Sequence, residues 1–213
     1  IENSQIFTIV KPDVKAEYIL QPYYSAKLLF GKQTIAIANE NLCLRRVPGT
    51  ERDAYRSALG DVCNKNEFVN QHGGDIQQLV AEAFLKQGKA YFDADISLIN
   101  GGGVREDIEA GEVTVEKIYR VLAFDNPLVQ LNITGAEIAH MLEDAMAAVV
   151  NQQTGSYPYT GGLVWDVDLT KPQGQRISNI KIKQADGQWH ALQTDRLYKL
   201  ITINFLADGQ GSY

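Results

Sequence analysis

The sequence predicts an α+β fold in which mixed β-sheets are packed by helices, and three stretches carry that prediction. Ile76, Leu79, Val80, Ala83 and Phe84 recur at helical spacing and give one buried face. A second such face, Ile138, Met141, Leu142, Ala145, Met146 and Val149, follows a capping-box pattern from Thr134 to Glu137. The remainder is β-rich, with strand-like runs at 163–169, 177–183 and 198–205 separated by turns containing Gly and Pro.

In chain order, residues 11–31 read as a helix that runs into Gly31, with Pro22 best placed at a first turn, where its missing N–H is not needed. A short strand over 34–38 comes next. Residues 39–70 show no clear period and read as a loop. Asp75 is positioned to cap the first amphipathic helix, which is expected to end near Gly88. Residues 95–99 form an apolar strand stopping at Asn100, and a short helix covers 115–122 after Thr114. Val129, Leu131 and Ile133 alternate with Gln130 and Asn132 as a half-buried strand should.

At 213 residues the chain suits one sizeable domain with a short extension. It is 45% hydrophobic and 22% charged, within the ordinary range for a folded chain. A net charge of -6 argues against a broad nucleic-acid-binding face, which needs many Lys and Arg. One local Arg can still hold a small anion. No apolar run approaches a bilayer span, and the start, IENSQIFTIV, lacks the order of a signal peptide, so the chain is expected to be mature or excised.

Cys43 and Cys63 flank a polar, Arg-rich stretch. They serve either as buried thiols or, in an oxidising compartment, as a disulfide closing a loop. There is no CxxC and no His-x-His to complete a metal site.

The most informative string is NGGGVR, Asn100 to Arg105. Gly101, Gly102 and Gly103 leave backbone N–H groups uncovered, and Arg105 offers a planar fork for an oxyanion. The same string serves equally as a tight turn with a solvent-facing Arg. Phe124 follows a helix and Phe205 ends a strand. Flat rings at such places either stack on a nucleobase or belong to the core.

NGGGVR, VLAFDNPLVQLNITG and YKLITINFLADGQGSY, with HGGDIQQLVAEAF before them, resemble in order and spacing the C-terminal domain of the 5′-nucleotidase and UDP-sugar hydrolase family, from about Thr34 to the end. The resemblance implies a layered α/β/β/α domain over 34–213, preceded by an interdomain linker and connecting helix over 1–33. It implies a nucleoside pocket with the base between Phe124 and Phe205, Asn100 beside the base, Arg105 toward ribose and phosphate, and glycines 101–103 shaping the edge. The family usually ends in GGDG and an aromatic, whose Asp contacts the ribose. Here the string is GQGSY, so Gly211 falls at the Asp position, and either Asp208 takes over that contact or it is missing. Many relatives place an Arg shortly before the GGDIQQL-like helix, where this chain has Lys65 and Glu67, and Arg45, Arg46, Arg52 and Arg56 are further candidates for a second positive charge.

Family hydrolysis uses two divalent metal ions, held in motifs such as D-x-H and H-x-H. His72, His140 and His190 are too widely spaced for these. The resemblance therefore implies no cofactor or catalytic residue in this chain. It places two metals and the chemistry in a preceding N-terminal metallophosphoesterase domain, in a periplasmic or secreted 5′-nucleotidase. The implied partners are a nucleotide and that domain, with no nucleic acid and no membrane span. The competing expectation is a non-catalytic ligand-binding or interaction module with a degenerate nucleotide site.

Overall fold

The computed structural model describes residues 10–213; the first nine residues of the expected linker lie outside the described residues. Helix α1 (Val14–Gly31) is capped by Asp13, whose carboxylate accepts the N–H groups of Lys15 and Ala16 at 2.9 Å. Because that cap starts the helix so early, Pro22 falls in its interior and not in a first turn as expected. Proline there leaves the Tyr18 carbonyl without an intrahelical donor, a loss water can cover on a helix exposed from Val14 to Phe30.

Two strands, β1 (Thr34–Ala38) and β3 (Gly111–Thr114), pair as an antiparallel ribbon. The central sheet has the order β4 (Leu128–Thr134), β9 (Leu197–Ile203), β2 (Ile96–Asn100), β5 (Pro158–Gly161). A third sheet runs β6 (Leu163–Val167), β7 (Ile177–Lys183), β8 (Trp189–Ala191). Strand β2 is buried along its whole length, and side chains alternate across it. Ile96 and Leu98 pack with Ile138 and Leu142 of helix α6 (Gly135–Val150) and Ile182 of β7. Ile99 joins Ile76, Val80 and Ala81 of helix α4 (Asp75–Phe92) on the opposite face, where Ser97 Oγ donates to the Ala81 carbonyl at 2.6 Å. Helix α4 therefore covers one face of the central sheet, and α6 with the third sheet covers the other.

The capping box on α6 forms as the sequence predicts: Glu137 N–H donates to Thr134 Oγ1 at 3.3 Å, and Thr134 N–H to Glu137 Oε2 at 2.7 Å. Thr134 and its helix are thus fixed by local chemistry. Helix α4 differs from expectation at both ends. Gly74 is its cap, while Asp75 lies inside and accepts the Cys43 N–H at 3.2 Å. Gly88 does not end the helix, which runs on to Phe92; this glycine instead makes room for Ile201 and Ala94, which occupy the space where a side chain would stand. The expected loop over 39–70 contains two short helices, α2 (Asp61–Asn64) and α3 (Glu67–His72). Helix α5 (Val115–Val121) follows Thr114 as expected, and the Thr114 side chain caps it by accepting the Lys117 N–H.

Cys43 and Cys63 form a disulfide with Cα atoms 5.4 Å apart, both buried beside Val69. The expected strand over 198–205 stops at Ile203. Asn204–Ala207 turn into a one-turn helix, α7, so Phe205 sits on a helix and not at a strand's end.

Strands β2 and β9 are parallel, with Ile96 opposite Leu200. Their C-terminal ends therefore share one edge of the sheet, where the antiparallel strands β4 and β5 begin: Leu128 faces Ile203 and Asn100 faces Pro158. That shared edge is where open α/β sheets usually receive ligands.

Candidate functional site

A cleft of about 290 Å³ opens at this edge, near the lower end of the size range of small-molecule pockets. Its lining comes from every element that ends or begins there: Asn100, Gly102, Gly103 and Arg105 after β2, Phe124 and Asn126 before β4, Gly155 before β5, and Ile203 and Phe205 at the end of β9. Arg46 completes it from the disulfide-closed loop.

The two rings are not core residues. Phe124 is 55% exposed and Phe205 39% exposed, although both stand beside buried strands. The Arg105 guanidinium carbon lies 5.6 Å from the centre of the Phe124 ring, and its Nη1 donates to the Gly102 carbonyl at 3.2 Å. A cation is thereby held at the rim of an apolar surface.

Asn100 is almost buried. Its Nδ2 donates to the Gly155 carbonyl at 3.1 Å, while Oδ1 has no partner among the described residues. A Cβ on Gly102 would lie 3.1 Å from both Cα and O of Gly155, so a side chain there would push apart two backbones that meet closely at the cleft floor.

Among the four candidate arginines the structure distinguishes by direction. Arg45 turns inward, and its guanidinium donates to the carbonyls of Val47, Thr50 and Ala54. Arg52 reaches the Val149 carbonyl at 3.5 Å. Arg46, the next residue after Arg45, turns to the cleft, with Nε 3.6 Å from Asp53 Oδ2. Asp53 also holds Arg56 at 3.4 Å, so one carboxylate steadies two cations. Burial, together with the charges of Arg56 and Arg105, pulls the Arg46 guanidinium down to about 10, against the pull of Asp53. At neutral pH it remains charged.

Of the residues singled out in the sequence, Asn100, Gly102, Gly103, Arg105, Phe124 and Phe205 line one cleft. Gly101 is buried just behind it and donates its N–H to the Tyr157 carbonyl at 2.7 Å. Asp208 caps α7, is exposed, and is not among the lining residues. Asn126 and Gly155 were not anticipated. Asn126 had a readable signal, a polar side chain two residues beyond Phe124 and held before Pro127. Gly155 had none, since its role depends on facing Gly102 across 53 positions of chain.

Among the described residues, no group of three or more His, Cys, Asp or Glu side chains is placed to hold a metal ion. His72 stacks on Phe68 with centroids 4.4 Å apart, His140 is exposed, and His190 lies 2.9 Å from Asp186. No helix among the described residues is long and apolar enough to cross a membrane.

A family model described as 5′-nucleotidase, C-terminal domain, matches residues 57–213. The chain belongs to that family. Relatives include a trifunctional nucleotide phosphoesterase protein of Bacillus subtilis, 29% identical over 76% of this chain and 12% of its own length. The NAD 5′-nucleotidase of Haemophilus influenzae is 26% identical over 94% of this chain and 31% of its own length. Among solved structures, a 5′-nucleotidase precursor from Thermus thermophilus superposes with a TM-score of 0.71 at 27% identity, covering 95% of this chain and 36% of that one. The chain thus spans less than a third of these two curated relatives. The family match covers the strands and loops that supply the cleft, apart from Arg46 in the stretch upstream of it.

Proposed function

We propose that this chain is the substrate-binding domain of an extracytoplasmic 5′-nucleotidase. A preceding metallophosphoesterase domain, with two divalent metal ions, would perform the hydrolysis, and the segment through α1 would join the two. The carrying observation is the convergence of two half-exposed rings with Arg46 and Arg105 in one cleft. Phe124 and Phe205 supply apolar faces for a base. Arg105 and Arg46 supply charge for the 5′-phosphate side, and Asn100 and Asn126 supply amides for polar groups of the nucleoside. The substrates are 5′-nucleotides or related nucleotide diphosphates. The disulfide between Cys43 and Cys63 supports an oxidising compartment, periplasmic or secreted.

In this reading the domain's own contribution to hydrolysis is binding and orientation. Positioning a phosphate against a separate reactive centre lowers the barrier by removing its freedom to wander. No metal-bound step is assigned to these residues.

The test is a thermal shift. AMP at about a hundred times its Kd adds about 2.7 kcal/mol of stability. For a chain of this size that raises Tm by roughly 5–10 °C. A flat response to adenosine, AMP and UDP-glucose would favour a second reading, a ligand-binding or interaction module whose nucleotide site has degenerated. One observation favours that second reading: Gly211 stands where the family's ribose-contacting Asp is expected, and exposed Asp208 is not on the cleft lining.

Arg46 gives a sharper result than the shift alone. Arg46→Met is expected to weaken AMP about tenfold while leaving adenosine within twofold, because a charge-assisted hydrogen bond contributes about 1.5–3 kcal/mol. Titration calorimetry with the two ligands checks it. Equal losses for both would mean that Arg46 shapes the cleft and does not hold phosphate.

A further inference from the structure

Arg46 and Arg105 come from segments far apart in sequence, yet one buried carboxylate joins them. Asp107 is 3% exposed. Its Oδ1 accepts the Leu44 N–H at 2.6 Å and its Oδ2 accepts the Ala58 N–H at 2.9 Å. Leu44 and Ala58 are the two ends of the loop that carries Arg46, Asp53 and Arg56.

The other end of this connection is equally firm. Residues 105–108 are held through Arg105 N–H to the Val121 carbonyl at 2.9 Å and through reciprocal bonds between Ile108 and Leu42 at 2.7 and 3.0 Å. Between Arg105 and Asp107, Glu106 is engaged by Lys117 and Arg120 at 3.1 Å each, which ties this segment to α5 as well. The arm that presents Arg105 to the cleft therefore also closes the neck of the arginine loop.

We propose that Asp107 is a positioning residue for phosphate recognition: by holding both ends of the 44–58 loop against the Arg105 arm, it fixes the spacing between Arg46 and Arg105. This rests on the nucleotide reading above. The charge of Asp107 does not face ligand. Its two oxygens satisfy two backbone donors whose loss would loosen the neck of a loop otherwise held by the disulfide and by Tyr159 and Gln77 at Arg45, and two cations at a variable spacing hold an anion less well than two at a fixed one.

The experiment compares AMP and adenosine by titration calorimetry on the parent chain, Asp107→Asn, Arg46→Met and the double variant. Asparagine keeps the size but offers an NH2 to one of the two backbone donors. The expected result is a loss of about fivefold in AMP affinity for D107N, adenosine within twofold, and less than a further twofold loss when D107N is added to R46M. Parallel losses for AMP and adenosine, or a full fivefold loss in the R46M background, would overturn the proposal. A parent chain that binds neither ligand would instead defeat the nucleotide reading itself.

Should D107N fail to fold, amide hydrogen exchange on the parent chain decides the matter. By reciprocity of coupling, AMP should slow exchange at Leu44 and Ala58, and adenosine should not. Equal protection by the two ligands, or none from AMP, would reject the positioning role.

Discussion

Replacing Phe205 with alanine is expected to weaken adenosine binding at least tenfold, and removing Phe124 as well is expected to weaken it about a hundredfold or more. Each base–aromatic stack contributes roughly 1–3 kcal/mol, and the two rings line the same cleft. Both rings are partly exposed, so their loss removes little core packing and the variants should fold. The Phe205 ring is set by its surroundings. Gly211 has φ +70°, and a Cβ there would stand 3.2 Å from Phe205 Cε1, so the C-terminal turn passes directly beside the ring. Titration calorimetry on the parent, the single variants and the double variant measures the effect. Affinity that survives loss of both rings would remove the stacking role and with it the main support for a nucleoside pocket.

Removing the disulfide, by Cys43→Ser with Cys63→Ser, is expected to cost about 3 kcal/mol of stability. The bond closes a loop across a sequence separation of 20, and a loop of this length restricts the unfolded chain by about that amount in the chain-entropy account. In urea the unfolding midpoint should fall by roughly 1–2 M. An unmoved midpoint would show that hydrogen bonding around the loop, including Asp75 to Cys43, Asp107 to Leu44 and Ala58, and the Tyr159 hydroxyl to the Arg45 carbonyl, is sufficient without the covalent link. These contacts lie at the base of the loop that carries Arg46. The double variant should for that reason also bind AMP less tightly than the parent, while its adenosine affinity changes less.

What could be read without coordinates was mostly local. The Thr134–Glu137 capping box involves groups three residues apart, and the apolar stripe of α6 repeats within a single helix. The strand alternation at 129–133 is equally local. By contrast β3, β5 and β8 were not anticipated, for they are three or four residues long and owe their strand geometry to partners elsewhere: β5 to β2, β3 to β1, β8 to β7. Short strands carry too few alternations to announce themselves. Phe205 was recognised but assigned to the wrong element, because α7 has four residues and its hydrogen-bonded turn depends on where β9 meets Pro127: Asn204 N–H donates to the Pro127 carbonyl at 3.1 Å.

The candidate site shows the same division. Its glycines, rings and Arg105 were legible from residue type beside the ends of predicted elements. The second cation was not, since four arginines within twelve positions look alike until their directions are known. Arg45 and Arg46 are adjacent and point apart because Tyr159 and Gln77 fix the Arg45 backbone from two other elements.

The expected face of α4 is displaced, with Leu79 and Ala83 exposed and Gln77, Ala81 and Leu85 buried by the sheet it packs on. By itself the sequence determined the apolar face of α6, its Thr134 capping box, the glycine turn after β2 and the residue types able to meet a base and an anion, because each depends on neighbours a few positions away. Only the tertiary structure decided that these residues share one cleft and that Arg46 is the second charge facing it. That decision comes from the parallel pairing of β2 with β9 and from the bonds of Tyr159 and Gln77 to the Arg45 backbone, contacts whose partners are up to 114 positions apart and leave no periodic trace in the chain.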